Sequence, residues 1–271
     1  MARPLWFVEL VKTLFPSRFI FAEMTKIPVV GHMVEYSLFY GDDIIYLPKD
    51  SVIQIQEDIG ESDNYVLPSQ VVDHFIEQAG YHWVMDQCIC RAGDFCTDYP
   101  VDLGCIFLGE AVLDINPNLG QLVSKDEALA HAKLCRDAGL VHMIGRNKLD
   151  SVWLGTSPST KLLTICSCCP CCCLWRMIPY IKPAIRDKVY KMPGVTVTVT
   201  DLCAGCGTCV EGICFVDAIH MEDTTAVIDE GCRGCGRCVE VCPNEAIELS
   251  FQNNHFIEDT INHLSSLIDI S

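Results

Sequence analysis

From Ser69 the chain places apolar side chains at 71, 72, 75, 76 and 79. That is the spacing of one helical face, and it predicts a helix with Ser69 as N-cap and Gly80 as its stop. The segment YHWVMDQCIC that follows has the composition of a strand. A second unit repeats the arrangement. Ser124 and Glu127 have capping-box spacing, apolar positions 128, 129, 132 and 135 continue the helix, Gly139 closes it, and LVHMI predicts a strand. The joints QAGYHW and DAGLVH are alike, so a diverged internal duplication is one reading and chance recurrence of a short helix-Gly-strand unit is the other. Further on, TVTVT, AIHMED, TAVIDE and AIELSF are short β-prone runs. In NNHFIEDTINHLSSLIDIS, residues Ile257, Ile261, Leu264 and Ile268 share one face of an amphipathic helix expected to pack back on the body.

Residues 1–66 hold the clusters LWFVEL, FIFAEM and EYSLFYGDDIIYL and no cysteine. They are expected to form a lead segment that covers or docks something, with ordinary core for the next domain as the alternative. The start of the chain lacks the basic, apolar and small-residue sequence of a secretory signal, and no stretch of about 18 apolar residues occurs. A cytoplasmic, reducing environment is therefore expected, with no transmembrane segment and with peripheral membrane contact left open. A net charge of -17 disfavours nucleic acid.

Against that background, 19 cysteines in 271 residues change the picture. In a reducing compartment they point to metal or redox chemistry rather than disulfides. Residues 203–214 are CAGCGTCVEGIC and residues 232–243 are CRGCGRCVEVCP, each a Cys-x2-Cys-x2-Cys run with a fourth cysteine after it and Ala-Ile further on (218–219 and 246–247). A zinc ribbon would use two Cys-x2-Cys pairs and leave the third cysteine of each run idle. The glycines at 205, 207, 234 and 236 suit tight turns around a cluster. Neither a dinucleotide-binding glycine loop nor a P-loop occurs, so flavin, nicotinamide and ATP are not implied.

These two runs resemble bacterial two-cluster ferredoxins. The resemblance covers roughly residues 195–252 and implies two 4Fe-4S clusters, one held by Cys203, Cys206, Cys209 and Cys242, the other by Cys232, Cys235, Cys238 and Cys214. The first run departs from the family by one extra residue before Cys214 and by Phe215 where proline is usual.

Upstream lie Cys88, Cys90, Cys96 and Cys105, then Cys166, Cys168, Cys169, Cys171, Cys172 and Cys173. In an extended chain Cys-x-Cys directs two sulfurs to one side, while adjacent cysteines point to opposite faces and would serve different centres. The first four suffice for a further cluster. The six-cysteine run, bent at Pro170, would bind another or join a composite site, giving one or two further iron-sulfur clusters. Cys135 fits a small core residue, and His82, His131 and His142 fit partly buried residues rather than ligands. The region 88–176 is similar, more loosely, to cysteine-dense iron-sulfur proteins of strict anaerobes.

The expected fold is α+β: a lead or docking segment (1–66), an α+β cysteine-rich iron-sulfur domain (67–192), a ferredoxin-like two-cluster domain (193–252) and a C-terminal amphipathic helix (253–271). The expected function is electron transfer through several 4Fe-4S clusters to or from a larger oxidoreductase in an anaerobe, with that oxidoreductase or another redox protein as partner. Two alternatives stand beside it. One is a cluster-dependent reductase acting on a disulfide or small substrate at Cys166–Cys173, where Cys169-Pro-Cys171 is similar to an element of ferredoxin-thioredoxin reductase. The other is a module whose metal only holds the fold.

Overall fold

The computed structural model describes residues 2–53, 67–252 and 255–271. Helices α1 (Leu5–Leu14), α2 (Arg18–Met24) and α3 (Pro28–Leu38) lead into strand β1 (Asp43–Tyr46). Then come α4 (Ser69–Gln78), β2 (His82–Met85), α5 (Ile89–Gly93), β3 (Ile106–Leu108), β4 (Gly120–Val123), α6 (Lys125–Asp137), β5 (Val141–Arg146), α7 (Lys148–Leu154) and β6 (Leu163–Cys168). The chain continues through α8 (Pro183–Arg186), β7 (Val189–Lys191), β8 (Val195–Val199), β9 (Ile219–Glu222), β10 (Thr225–Ile228), α9 (Arg237–Glu240), β11 (Ile247–Phe251) and α10 (Phe256–Ser265). Helix and sheet are mixed, an α+β architecture.

Seven strands form one sheet in the order β4-β2-β3-β6-β5-β1-β7. Every pairing is antiparallel except β1 with β7. Strands β1, β5 and β6 are buried along most of their length, so both faces of the sheet are covered. One face takes Ile45, Ile144, Leu163 and Ile165 under α4, α6 and α10, through Val71, Phe75, Ile76, Ala128, Ala132 and Leu264. The other carries Ile44, Tyr46, Met143 and Cys168 against Ala22, Phe39, Trp175 and Ile185. Because side chains alternate along β6, Cys166 and Cys168 fall on this second face, opposite Ile165.

Part of the lead segment is core of the large sheet. Its IIYL stretch is buried on both sides and enters the sheet as β1, between β5 and β7. Its helices bury Val8, Phe15 and Ala22 and leave Trp6, Ile20, Phe21, Val29, Met33 and Tyr36 more than half exposed. Residues 54–66 of that segment, and Asn253 and Asn254 of the C-terminal one, lie outside the described residues. Among the described residues no helix is long and apolar enough to cross a membrane.

Local expectations were met unevenly. The Ser124–Glu127 capping box forms in full, and Gly139 closes α6 with φ +76°. Ser69 is the first residue of α4 instead of its N-cap; Pro68 occupies that place, and the Ser69 N–H donates to the Asp50 carboxylate at 3.0 Å. The strand over YHWVMDQCIC shortens to β2, because Cys88 becomes the N-cap of α5 and Cys90 enters its first turn. Residues 219–222 and 225–228 pair as one hairpin-like ribbon, and β8 pairs with β11 as another.

Helix α10 seals the first sheet face through Phe256, Thr260 and Leu264, all buried. Leu264→Ala is expected to cost about 2–5 kcal/mol in denaturant-induced unfolding, the usual range for a truncated core leucine, whereas Asn262→Ala on the exposed side should stay within about 0.5 kcal/mol.

Candidate metal centres

Cys203, Cys206, Cys209 and Cys242 line one small gap in the C-terminal part. Cys214, Cys232, Cys235 and Cys238 line a second. Each gap draws three sulfurs from one run and the fourth from the other. The β8/β11 and β9/β10 pairs bring the runs together, and the turns that carry the sulfurs need left-handed backbone. Gly205, Gly207, Gly234 and Gly236 have φ of 68°, 73°, 64° and 80°.

The two fourth cysteines are followed by the same turn. Asp217 and Glu245, three residues after their cysteines, adopt φ of 52° and 50°, and at the next residue the backbone closes back on sulfur. The Ala218 N–H donates to Cys214 Sγ at 3.3 Å, and the Ala246 N–H donates to Cys242 Sγ at 3.3 Å. The extra residue before Cys214 is taken up at exposed Gly212, φ +69°, where even a Cβ would find open space. Phe215 is buried, with its ring centroid 4.6 Å from that of Tyr46. The departure from proline thus ties this turn to the large sheet.

The donor chemistry of both gaps suits an iron-sulfur cluster: four thiols, backbone N–H groups aimed at sulfur, and a buried cation at the second gap. The Gly234 N–H donates to Cys232 Sγ at 3.3 Å. Arg233 lines the second gap, and its buried Nε has no partner in the protein. Burial pushes the Cys235 thiol up to about 11 and the Cys238 thiol higher still, so these sulfurs ionise only against positive charge.

Upstream, Cys88, Cys90, Cys105, Cys166, Cys168, Cys169 and Cys173 line a cavity of about 280 Å³, walled by Phe7, Val11 and Phe15 of the lead segment and by Trp153 and Trp175. Cys105 and Cys166 approach to 3.5 Å and Cys168 and Cys173 to 3.3 Å, with the Tyr46 hydroxyl 3.4 Å from Cys173 Sγ. Arg91 enters this wall with no exposed surface. Its guanidinium donates to the Ser167 carbonyl at 2.8 Å and to the Leu103 carbonyl, and its Nε is left without a partner. Burial works against its charge, but Cys88, Cys169, Cys105 and Cys168 hold its pKa above the usual arginine value. Asp150, also at the cavity, accepts from Asn147, Trp153 and Thr164 at 2.8, 2.8 and 2.9 Å, and burial raises its pKa to about 6.

Cys96 leaves the set formed by Cys88, Cys90 and Cys105. Phe95 turns the backbone with φ 52° just past α5, and Cys96 Sγ comes to 3.7 Å from Cys171 Sγ. Cys96, Cys169, Cys171 and Cys172 have their sulfurs within 4.8 Å of one another. Adjacent cysteines divide as expected at 172/173, Cys169 sits beside the quartet while also lining the cavity with Cys168, and Cys171 and Cys172 share a site because the turn after Pro170 is not extended. Cys135 is wholly buried beside Leu140, Cys169 and Cys172. His82, His131 and His142 each hydrogen-bond a backbone carbonyl through Nε2, those of Ile76, Gly104 and Ala132. Burial lowers the His142 pKa to about 4.

Pattern reading missed Tyr46, Arg91, Asn147 and Asp150. Only Arg91 carries a local signal, a cation next to Cys90. Arg233 and Arg237, which look like surface charges between ligands, are both buried. Arg237 donates to the Cys168 carbonyl at 2.6 Å and so joins the C-terminal runs to the upstream cavity.

Residues 210–252, which include Cys214, Cys232, Cys235, Cys238 and Cys242, match the family model of the LdpA Fe-S cluster-binding domain. That match, with the cysteine clustering, supports an iron-sulfur protein. No curated protein and no solved structure matches the chain.

Gly205 and Gly207 separate two costs. A Cβ at Gly205 would meet the Thr224 carbonyl oxygen at 2.5 Å, whereas one at Gly207 would meet nothing within 4 Å. Gly207→Ala is expected to lose only the left-handed penalty, about 1–2 kcal/mol, and Gly205→Ala more than that. Thermal unfolding of the two variants side by side checks the order.

Proposed function

We propose that this iron-sulfur protein is a cytoplasmic electron carrier of an anaerobe, passing electrons to or from a larger oxidoreductase. Cys203, Cys206, Cys209 and Cys242 would hold one 4Fe-4S cluster, and Cys214, Cys232, Cys235 and Cys238 a second, as in two-cluster ferredoxins. Cysteines of the upstream cavity would hold a further one. Such clusters, when bound, supply one-electron couples whose potentials follow local charge, hydrogen bonds to sulfur and solvent exposure.

The observation that carries the reading is continuity. Cys214, Cys232 and Cys235 pack on the same buried cluster as Tyr46, Cys168, Cys173, Trp175 and Phe215. The second C-terminal quartet and the upstream cavity therefore share one apolar wall, with Arg237 hydrogen-bonded across it. Protein groups exclude water along this wall, and Arg91, Arg233 and Arg237 supply fixed positive charge beside the sulfurs. Such a layout suits movement of charge within the chain, because fixed cations and a dry wall need little rearrangement when charge arrives.

A second reading, a reductase acting on a disulfide or small substrate, is favoured by the 280 Å³ of the upstream cavity and by the buried Asp150 carboxyl at its wall. Chemical reduction of the protein under anaerobic conditions, followed by addition of a small disulfide, separates the two. Stoichiometric thiol release supports the reductase, and its absence with intact cluster reoxidation by a protein acceptor supports the carrier.

Protein prepared without oxygen should contain about 12 cluster iron atoms with matching sulfide, four of each per cubane. Cys214→Ala should remove or convert one cluster, seen as lost iron or a three-iron electron paramagnetic signal, while the quartet with Cys203 persists. An unchanged spectrum would take Cys214 out of the ligand set.

Arg233→Gln should lower the potential of the cluster near Cys232, since nearby positive charge favours the more reduced state and this cation is buried. Spectroelectrochemical titration reads the shift, and an upward movement would refute the assignment.

A further inference from the structure

The compact quartet of Cys96, Cys169, Cys171 and Cys172 has a geometry unlike that of the other cysteine sets. Cys96 and Cys171 sulfurs are 3.7 Å apart and Cys171 and Cys172 sulfurs 3.5 Å apart, with all four inside 4.8 Å. Among the described residues no other group of three or more cysteine, histidine or carboxylate ligand atoms converges in this way. Every cysteine of the chain is free, so no disulfide accounts for the approach.

Sulfur separations decide what such a set can hold. Around one metal ion with bonds of about 2.3 Å, the edge of the thiolate tetrahedron is about 3.8 Å, which is 2.3 multiplied by about 1.6. The Cys96–Cys171 and Cys171–Cys172 separations, 3.7 and 3.5 Å, lie close to that edge, and the other sulfurs stay within 4.8 Å. In a cubane, four metals and four sulfides stand between the cysteine sulfurs and spread them much further apart, and a quartet inside 4.8 Å has no room for them. The C-terminal quartets, in contrast, surround a gap.

We propose that Cys96, Cys169, Cys171 and Cys172 form a mononuclear tetrahedral site for one divalent ion, zinc or ferrous iron, with no sulfide. The donor set is the closed, all-thiolate type of structural sites. Its surroundings suit it. Cys169 and Cys172 are buried against Cys135 and Leu140, the Cys172 N–H donates to Cys169 Sγ at 3.4 Å, and Arg176 donates to the Cys171 carbonyl at 2.7 Å. Cys96 and Cys171 are half-buried and leave a route for the ion. The site clips the loop after α5 to the turn after β6. Cysteines flanking those two segments, Cys88 and Cys90 of α5 and Cys166, Cys168 and Cys173 around β6, line the larger cavity. The ion would hold that cavity's rims in register whatever chemistry occurs inside it, so the site goes beyond the electron-carrier reading and stands independently of it.

The test is metal and acid-labile sulfide analysis of the full chain prepared without oxygen from medium supplying both iron and zinc, with X-ray absorption at the zinc and iron edges. The expected result is about one zinc, or one iron in excess of sulfide, bound by four sulfurs at about 2.3 Å. Cys96→Ser and Cys171→Ser should each lose that ion with sulfide unchanged, while Cys206→Ser should lose iron and sulfide and keep it. Equal iron and sulfide with no zinc in the unmodified protein would overturn the site, as would loss of sulfide together with metal in Cys96→Ser. The measurement on the unmodified protein decides the matter even if the serine variants fail to fold. Loss of electron-transfer activity alone bears on the carrier reading and leaves the metal-to-sulfide ratio untouched.

Discussion

A guanidinium without access to water must be met by acceptors and by negative charge, or its burial costs more than the fold can supply. Arg91 is such a group. Two carbonyls, those of Ser167 and Leu103, take its Nη hydrogens, and the thiols of Cys88, Cys105, Cys168 and Cys169 surround it with charge when ionised. Its own segment supplies the first cysteines and the Ser167 strand supplies the next, so this one side chain bridges the two stretches that build the upstream centres. Arg237 repeats the device one layer further on, from the C-terminal runs to the Cys168 carbonyl. The cysteine sites are thus held in relation to each other by buried cations as well as by apolar contact.

The sheet explains why all of this lies on one side. Its first face is covered by helices α4, α6 and α10. The other is covered by the short, cysteine-bearing turns and by the lead helices, which cannot pack as tightly, and a cavity remains where they meet β6. The lead helices close that cavity with Phe7, Val11 and Phe15 and turn a second apolar side outward, including Trp6, Val29 and Met33.

In the C-terminal part the two cysteine runs behave as near copies of one local structure. The left-handed residues Asp217 and Glu245 and the paired Ala N–H to Sγ bonds recur in both. Where the copies differ, the difference has a use. Gly212 absorbs the additional residue, and Phe215 replaces a turn former with a ring that reaches Tyr46 beside Cys168 and Cys173.

Local chemistry made much of this legible from the chain alone. The α6 capping box, the buried stripe of α10, and the grouping of the C-terminal cysteines into threes with tight glycine turns follow from contacts within a few residues, and such contacts form wherever the segment is placed. The partition of the upstream cysteines did not follow. It depends on Phe95 turning Cys96 away from its neighbours, on β6 ending at Cys168, and on the turn at Pro170 sending Cys171 and Cys172 the same way. Cys96 and Cys171 are 75 residues apart, and only the sheet, by bringing β3 beside β6, sets the ends of those segments next to each other. Spacing determines which sulfurs neighbours can share; the burial of whole strands, a sum over many weak contacts, decides which distant sulfurs meet.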